Sequence, residues 1–111
     1  MSVEPGCGTL VVAFLQSPKE RLWGVVRKMD PSGLWLEGIS LDSFEDWARQ
    51  VGRSEAVSIG PSLIFYPMVR VEKLLVDRPA PGQPSFAERF RSLAGVDVAS
   101  HLDRGGDGGA P

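Results

Sequence analysis

The apolar positions of this chain fall mostly into short runs separated by proline, glycine and polar residues, a spacing that predicts strands. The first run, from Leu10 to Leu15, is unbroken and rich in β-branched side chains, so we expect a strand buried on both faces. Pro67 separates the last two runs. Because proline cannot donate to a ladder, the fourth strand should end, bend or lie at a sheet edge there. Five strands are expected, over residues 9–16, 22–30, 34–41, 62–66 and 69–77.

The second and third strands are predicted to form a hairpin around Pro31-Ser32-Gly33. With a three-residue loop, Asp30 opposes Leu34 and Arg27 opposes Glu37. The predicted interior face then holds Leu22, Gly24, Val26, Leu34 and Leu36, and the outer face holds Trp23, Val25, Arg27, Met29, Trp35, Glu37 and Ile39. A shift of one residue in this register would exchange the two faces.

A change to helical periodicity marks residues 42–51. Apolar side chains there recur at the spacing of one helix face: Phe44, Trp47, Ala48 and Val51. Asp42 or Ser43 is expected to cap the start of this helix, and Gly52 is expected to end it. The sequence therefore predicts a helix inserted between the third and fourth strands.

A second helix is predicted after a proline-rich linker. Ser85 followed by Glu88 matches a capping box, Gly95 is suited to end the helix, and Asp97 is expected to cap one further turn. The expected organisation is a flexible N-terminus over residues 1–8, a β-domain over 9–77, the linker over 78–84, a helical segment over 85–102 and a disordered tail over 103–111.

Composition fits one small globular domain. The 111 residues are 42% hydrophobic and 23% charged, with 12 basic and 14 acidic residues for a net charge of −2. That balance argues against a strong nucleic-acid binder. The N-terminal residues contain neither a leader pattern nor a membrane-spanning run, so a cytoplasmic protein without a membrane partner is expected. Cys7, the single cysteine, is interpreted as an incidental thiol.

No group of residues has the spacing of a catalytic or metal site. His101, the only histidine, is expected to be solvated rather than catalytic. The acidic residues Asp42, Glu45 and Asp46 could share a metal, but helix capping and dipole stabilisation explain them better. We therefore predict no enzyme, no metal and no cofactor. A small enzyme would be considered only if a cofactor co-purified.

The hairpin resembles the first Sm motif of Sm-like and Hfq proteins. That motif also places a glycine in a bent second strand, here Gly24, and an aspartate at the hairpin turn, here Asp30 before Gly33. A glycine lets a strand of a small barrel bend sharply. Residues 65–71 occupy the place of the second motif, and this closing segment is also similar to that of small uncharacterised bacterial proteins. The resemblance covers roughly residues 9–77 and implies a mainly β, five-stranded barrel of Sm-like or SH3-like type with two added helices.

The chain departs from that family where RNA would be held. Hfq-type proteins follow the tyrosine with lysine and histidine, whereas Tyr66 is followed here by Pro67 and Met68. Sm-type proteins carry an asparagine after the hairpin aspartate, and the turn here has none. The inserted helix, the C-terminal helix and the absence of an N-terminal helix are further departures.

Our leading hypothesis is a non-enzymatic binding or assembly module that forms a homo-oligomer or binds a protein partner. Its candidate self-association edge is Phe65, Tyr66, Met68 and Val69. The alternative is an Hfq-like RNA-binding regulator that uses Arg27, Lys28, Arg70 and Lys73. Two tryptophans on the outer face leave a further choice open: Trp23 and Trp35 are either exposed to a partner or covered by one of the helices.

Overall fold

Five antiparallel strands and two helices make up the described residues, 8–53 and 58–102, of the computed structural model. The strands are β1 (Leu10–Leu15), β2 (Glu20–Asp30), β3 (Gly33–Ser40), β4 (Ser62–Pro67) and β5 (Val71–Val76); the helices are α1 (Leu41–Gly52) and α2 (Phe86–Ala94). Short 3-10 turns cover Met68–Arg70 and Val98–His101. The mainly β fold with two helices is confirmed. The expectations for the N-terminus, Cys7 and the C-terminal tail fall outside the described residues.

The strands form one sheet in the order β4-β3-β2-β1-β5. β4 pairs only with β3 and β5 only with β1 among the described strands, so the sheet is not closed and the predicted barrel closure is not confirmed. Gly24 faces Gly38 in the centre of the sheet. A Cβ atom at Gly24 would overlap the carbonyl oxygen of Glu37, so this close approach of two backbones requires glycine.

The β2–β3 hairpin is tighter than predicted. Asp30 pairs with Gly33, not with Leu34, and Val25 rather than Arg27 pairs with Glu37. The Asp30 carboxylate closes the turn by accepting hydrogen bonds from the Ser32 amide at 2.9 Å and the Ser32 hydroxyl at 2.6 Å. These hydrogen bonds hold the pKa of Asp30 below its ordinary value.

A bulge at Arg27 takes up the register difference, because the pairing shifts between Val26 and Lys28. On the side of the bulge away from the turn, the side chains of β2 therefore keep the interior face that was predicted for them. Met29 changes sides, because it pairs with the interior residue Leu34 and does not lie on the outer face.

Two apolar clusters pack on opposite faces of the sheet. The inner cluster consists of Val11, Ala13, Leu15, Leu22, Val26, Leu34, Leu36 and Tyr66. The outer cluster joins Val12, Trp23 and Ile39 of the sheet to Phe44, Trp47, Ala48, Phe90, Ala94 and Val98. β1 contributes to both clusters, which confirms that it is buried on both faces.

The helix ends agree with the sequence except at α1 and the last turn. α1 begins at Leu41, because the Ser40 hydroxyl accepts from the Asp42 amide at 3.2 Å; the predicted caps Asp42 and Ser43 are wrong. The Ser85–Glu88 capping box and the left-handed Gly95 of α2 are confirmed. Asp97 precedes the last turn, but its side chain makes no capping hydrogen bond.

Candidate protein-association edge

Among the described residues, β4 leaves one row of its backbone groups without a partner strand. The Met68 amide donates to the Ser32 carbonyl at 3.0 Å, and hydrogen bonding alternates along an antiparallel ladder. The backbone of Tyr66 and Ile64 therefore faces β3, while the backbone of Leu63, Phe65 and Pro67 points away from the sheet. Pro67 lacks its N–H on the open side, where no ladder bond is lost, which confirms the predicted edge position.

β4 carries no charge, and three consecutive apolar side chains at its centre are partly exposed. Leu63 is 55% exposed, Ile64 39% and Phe65 38%. Tyr66 points inward and is buried in the inner cluster. Burial is the main cause that raises the pKa of Tyr66, with Glu20 acting in the same direction and Arg70 opposing.

The structure brings only part of the predicted self-association edge together. Phe65 lies on β4 with its backbone groups pointing away from the sheet, but the Tyr66 side chain is buried in the inner cluster. Met68 and Val69 lie in the 3-10 turn beyond the strand, where Val69 is 77% exposed and Met68 is half-buried. Leu63 and Ile64 were missed, although an uncharged apolar segment between Pro61 and Pro67 was a visible signal.

The outer flank of β4 carries an aromatic pair. Trp35 pairs with Phe65 across the strands, and their ring centroids are 5.2 Å apart. Trp35 is 41% exposed, whereas Trp23 is fully buried, with its ring 5.3 Å from Phe44. The helices thus cover Trp23, whereas Trp35 is partly exposed. The helices cover the Ile39 end of β3, and Trp35 lies four residues away, about 13 Å along the strand.

We define the apolar edge as Leu63, Phe65 and Trp35, which share the outer face of the sheet at its β4 side. A partly buried ion pair lies next to it. Glu37 pairs with Leu63 across the strands and accepts from Arg27 at 2.7 Å. Arg27 compensates the negative charge of Glu37 within the molecule. Because Glu37 is only 6% exposed, this charge does not face a partner.

β5 forms the opposite edge and is built differently. The Asp77 amide donates to the Leu10 carbonyl at 2.8 Å, so the backbone groups of Leu74 and Val76 are the open ones. The strand carries Glu72 and Lys73, and its pairing with β1 is broken by a bulge.

The four basic residues considered for RNA are not brought together. Arg27 is held by Glu37, and Arg70 donates to the carbonyls of Gln16 and Pro18, each at 2.9 Å. The Lys73 ammonium lies 4.8 Å from the centre of the Phe14 ring.

Lys73 and Arg27 also lie far apart on the sheet. Lys73 pairs with Phe14, which pairs with Arg21, and Arg21 precedes Arg27 by six residues, about 20 Å along β2. Lys28 is exposed next to Arg27. The four side chains therefore do not form one basic surface.

A cleft of about 650 Å³ lies where β1 ends and α1 begins. Its charged lining is balanced, with the basic residues Lys19, Arg21 and Lys73 and the acidic residues Glu20, Asp42 and Glu72. This lining favours neither an anion nor a cation.

The residues considered for catalysis and metal binding contact other side chains of the fold. The exposed His101 ring lies 6.1 Å from the Phe90 ring, between centroids. Glu45 forms ion pairs with Arg49 and Arg89. Within residues 8–53 and 58–102, no group of three or more histidine, cysteine or acidic side chains is placed to hold a metal ion.

Asp77 has a structural role that the sequence did not predict. One carboxylate oxygen accepts from the Phe86 amide at 2.8 Å, and the other accepts from the Ala87 amide and from Trp23 Nε1, both at 3.0 Å. It thereby joins the end of β5 to the start of α2 and to the outer cluster. The only sequence signal is an acidic residue some way before a helix start.

The chain matches no protein-family model, no curated protein and no solved structure. In the part of the chain that the structure describes, neither helix has the length and apolar character needed to cross a bilayer.

Proposed function

We propose that the protein is a non-enzymatic assembly module that associates with itself through the open edge of β4. The observation that carries this proposal is the combination of open backbone groups and exposed apolar side chains on an uncharged edge strand. Edge strands are usually protected by charges, bulges or covering elements. Among the described residues, β4 has only Pro67 for this purpose.

The energetics favour occupation of this edge. Burying a leucine or phenylalanine side chain completely stabilises by about 1.5–3 kcal/mol, so completing the burial of Leu63 or Phe65 contributes about 1 kcal/mol each. A partner strand would also give hydrogen-bond partners to the open N–H and C=O groups of both residues. These gains act against the entropic cost of association.

An Sm-like architecture is part of the proposal. The strand order β4-β3-β2-β1-β5 is that of an Sm-like barrel opened between its fourth and fifth strands, and the glycine requirement at Gly24 supports the likeness. The scattered basic residues favour protein over RNA as the ligand, because a nucleic-acid surface needs clustered positive charge.

Light scattering across a concentration series tests self-association, combined with amide hydrogen exchange. We expect the average mass to rise with concentration while the amides of Leu63 and Phe65 become protected. A protein that remains a monomer at every concentration, with both amides exchanging freely, would refute the proposal.

A further inference from the structure

We infer that the self-association is isologous: β4 pairs antiparallel with β4 of a second copy, about a twofold axis at Ile64. This inference rests on the proposed self-association and specifies its partner surface. It differs from the ring assembly of Sm-like proteins, in which the fourth strand of one subunit pairs with the fifth strand of the next.

The open backbone groups of β4 are self-complementary around Ile64. Leu63 and Phe65 lie on either side of it, and both direct their N–H and C=O groups away from the sheet. In an antiparallel pair centred on Ile64, Leu63 of each copy lies opposite Phe65 of the other. The two pairs exchange four hydrogen bonds, and every open N–H of one copy meets an open C=O of its partner.

Prolines limit this ladder at both ends. Pro61 and Pro67 stand three residues before and three residues after Ile64, so they would face each other at the next bonded positions. Neither has an N–H to donate. The pairing is therefore confined to the centre of the strand.

The faces of the sheet decide between the two edges as partners. The open groups of β4 belong to Leu63 and Phe65, whose side chains lie on the outer face with Trp35. The open groups of β5 belong to Leu74 and Val76, which pair with the inner residues Ala13 and Val11. Directly opposed residues in a ladder share a face. Pairing β4 with β5 would thus join the outer face of one copy to the inner face of the next.

Pairing β4 with β4 joins like with like. The apolar edge of each copy, Leu63, Phe65 and Trp35, then continues into that of its partner on one side of a common sheet. No charge of β4 is buried, since the strand has none. The contact is small compared with standard interfaces, which bury about 1,200–2,000 Å². We therefore expect a reversible dimer with a dissociation constant on the order of micromolar.

Disulfide trapping tests the twofold axis directly. In the background Cys7→Ser, the substitution Ile64→Cys places two thiols at a non-bonded pair, where the Cα atoms are about 4.5 Å apart. That separation lies in the range of about 4.4–6.8 Å that a disulfide spans. We expect Ile64→Cys to form a covalent dimer under mild oxidation. Val69→Cys is the control for random collisions, because Val69 lies beyond Pro67, and the two copies of Pro67 would already be about 20 Å apart in this pairing.

A mixture of Ile64→Cys and Leu75→Cys tests the competing arrangement. If β4 paired with β5, Ile64 would lie opposite Leu75, and only the mixture would cross-link efficiently. That result would overturn the twofold pairing and leave self-association intact. Absence of every cross-link in a protein that light scattering shows to be dimeric would also overturn it. Absence of every cross-link in a strictly monomeric protein would refute the proposed function itself.

A matched pair of charge substitutions gives an independent test. Leu63 and Leu75 are exposed to similar degrees, 55% and 49%, on the two opposite edges. We expect Leu63→Lys to weaken dimerisation at least tenfold and Leu75→Lys to leave it unchanged, with both variants keeping the wild-type circular dichroism spectrum. Equal weakening by both substitutions would contradict the twofold pairing.

Discussion

The two edges of this sheet are of equal length and differ in how they are protected. β4 is uncharged and regular, and its exposed residues are apolar except for Ser62. β5 carries a carboxylate and an ammonium group in a bulged stretch. β5 thus has charges and a bulge that discourage strand pairing, and β4 lacks both. Edge protection is therefore set strand by strand and is not a property of the fold.

The two edges also differ in how they are anchored. Before β5, Arg70 donates to the carbonyls of Gln16 and Pro18; after it, Asp77 accepts three hydrogen bonds. β4 is held by its ladder to β3, by the Met68 amide and by the inward side chain of Tyr66. β5 is therefore fixed at both ends to other elements, while β4 depends mainly on one neighbour.

Removal of the Asp77 carboxylate should have the largest effect, because it detaches the end of β5. Asp77→Ala leaves two amides at the start of α2 and the buried indole N–H of Trp23 without their acceptor. Charge-assisted hydrogen bonds contribute about 1.5–3 kcal/mol each and act here through one group, so we expect a loss of about 3 kcal/mol in the free energy of unfolding. Urea denaturation measures it.

Asp97→Ala is the matched control. The Asp97 carboxylate is exposed and lies 3.7 Å from Arg91, a surface contact worth about 0.5 kcal/mol at most. Similar losses for the two variants would show that β5 is not anchored through Asp77.

Removal of the charges of β5 should take away one of the two features that protect that edge. In the double variant Glu72→Val and Lys73→Val, both edges would be apolar, and a chain with two adhesive edges can form open assemblies. We expect the mass measured by light scattering to exceed that of a dimer and to increase with concentration.

Lys19→Val is the control for a general gain in hydrophobicity, since Lys19 is exposed in the turn between β1 and β2 and lies on neither edge strand. It should leave the mass unchanged. If the double variant also kept the wild-type mass, the charges of β5 would not be what protects that edge.

Whether a feature could be predicted from the sequence depends on how far apart its interacting residues lie along the chain. The α2 capping box is local, and sequence spacing gave it correctly. The interior face of the hairpin followed from alternation, but the turn was predicted one residue too long, because the closure of Asp30 on Ser32 and the bulge at Arg27 leave no pattern of hydrophobic residues.

The candidate site was predicted only in part for a related reason. Phe65 was identified, and the proline signalled an edge. Which of Leu63, Ile64 and Tyr66 face outward depends on the pairing of β4 with β3, since side-chain direction follows the register. The role of Asp77 depends on contacts with Trp23 and the start of α2, which only the folded chain brings within reach.

The smallest expected effect is an alkaline loosening of β4. The pKa of Tyr66 is raised above 10.0, chiefly because the phenol is partly buried. The native state therefore holds this proton more tightly than the unfolded chain does. The stability linked to Tyr66 is fully present below pH 10 and is lost as the pH rises through the raised pKa.

Because Tyr66 is the only tyrosine, the absorbance of tyrosinate reports its titration alone. We expect a midpoint above 10 in the folded protein, with exchange of the β4 amides accelerating before that of the β5 amides. In Tyr66→Phe, this order of exchange should disappear. A midpoint at or below 10 would mean that the phenol is as well solvated as a free tyrosine, and β4 would then lack its inward anchor.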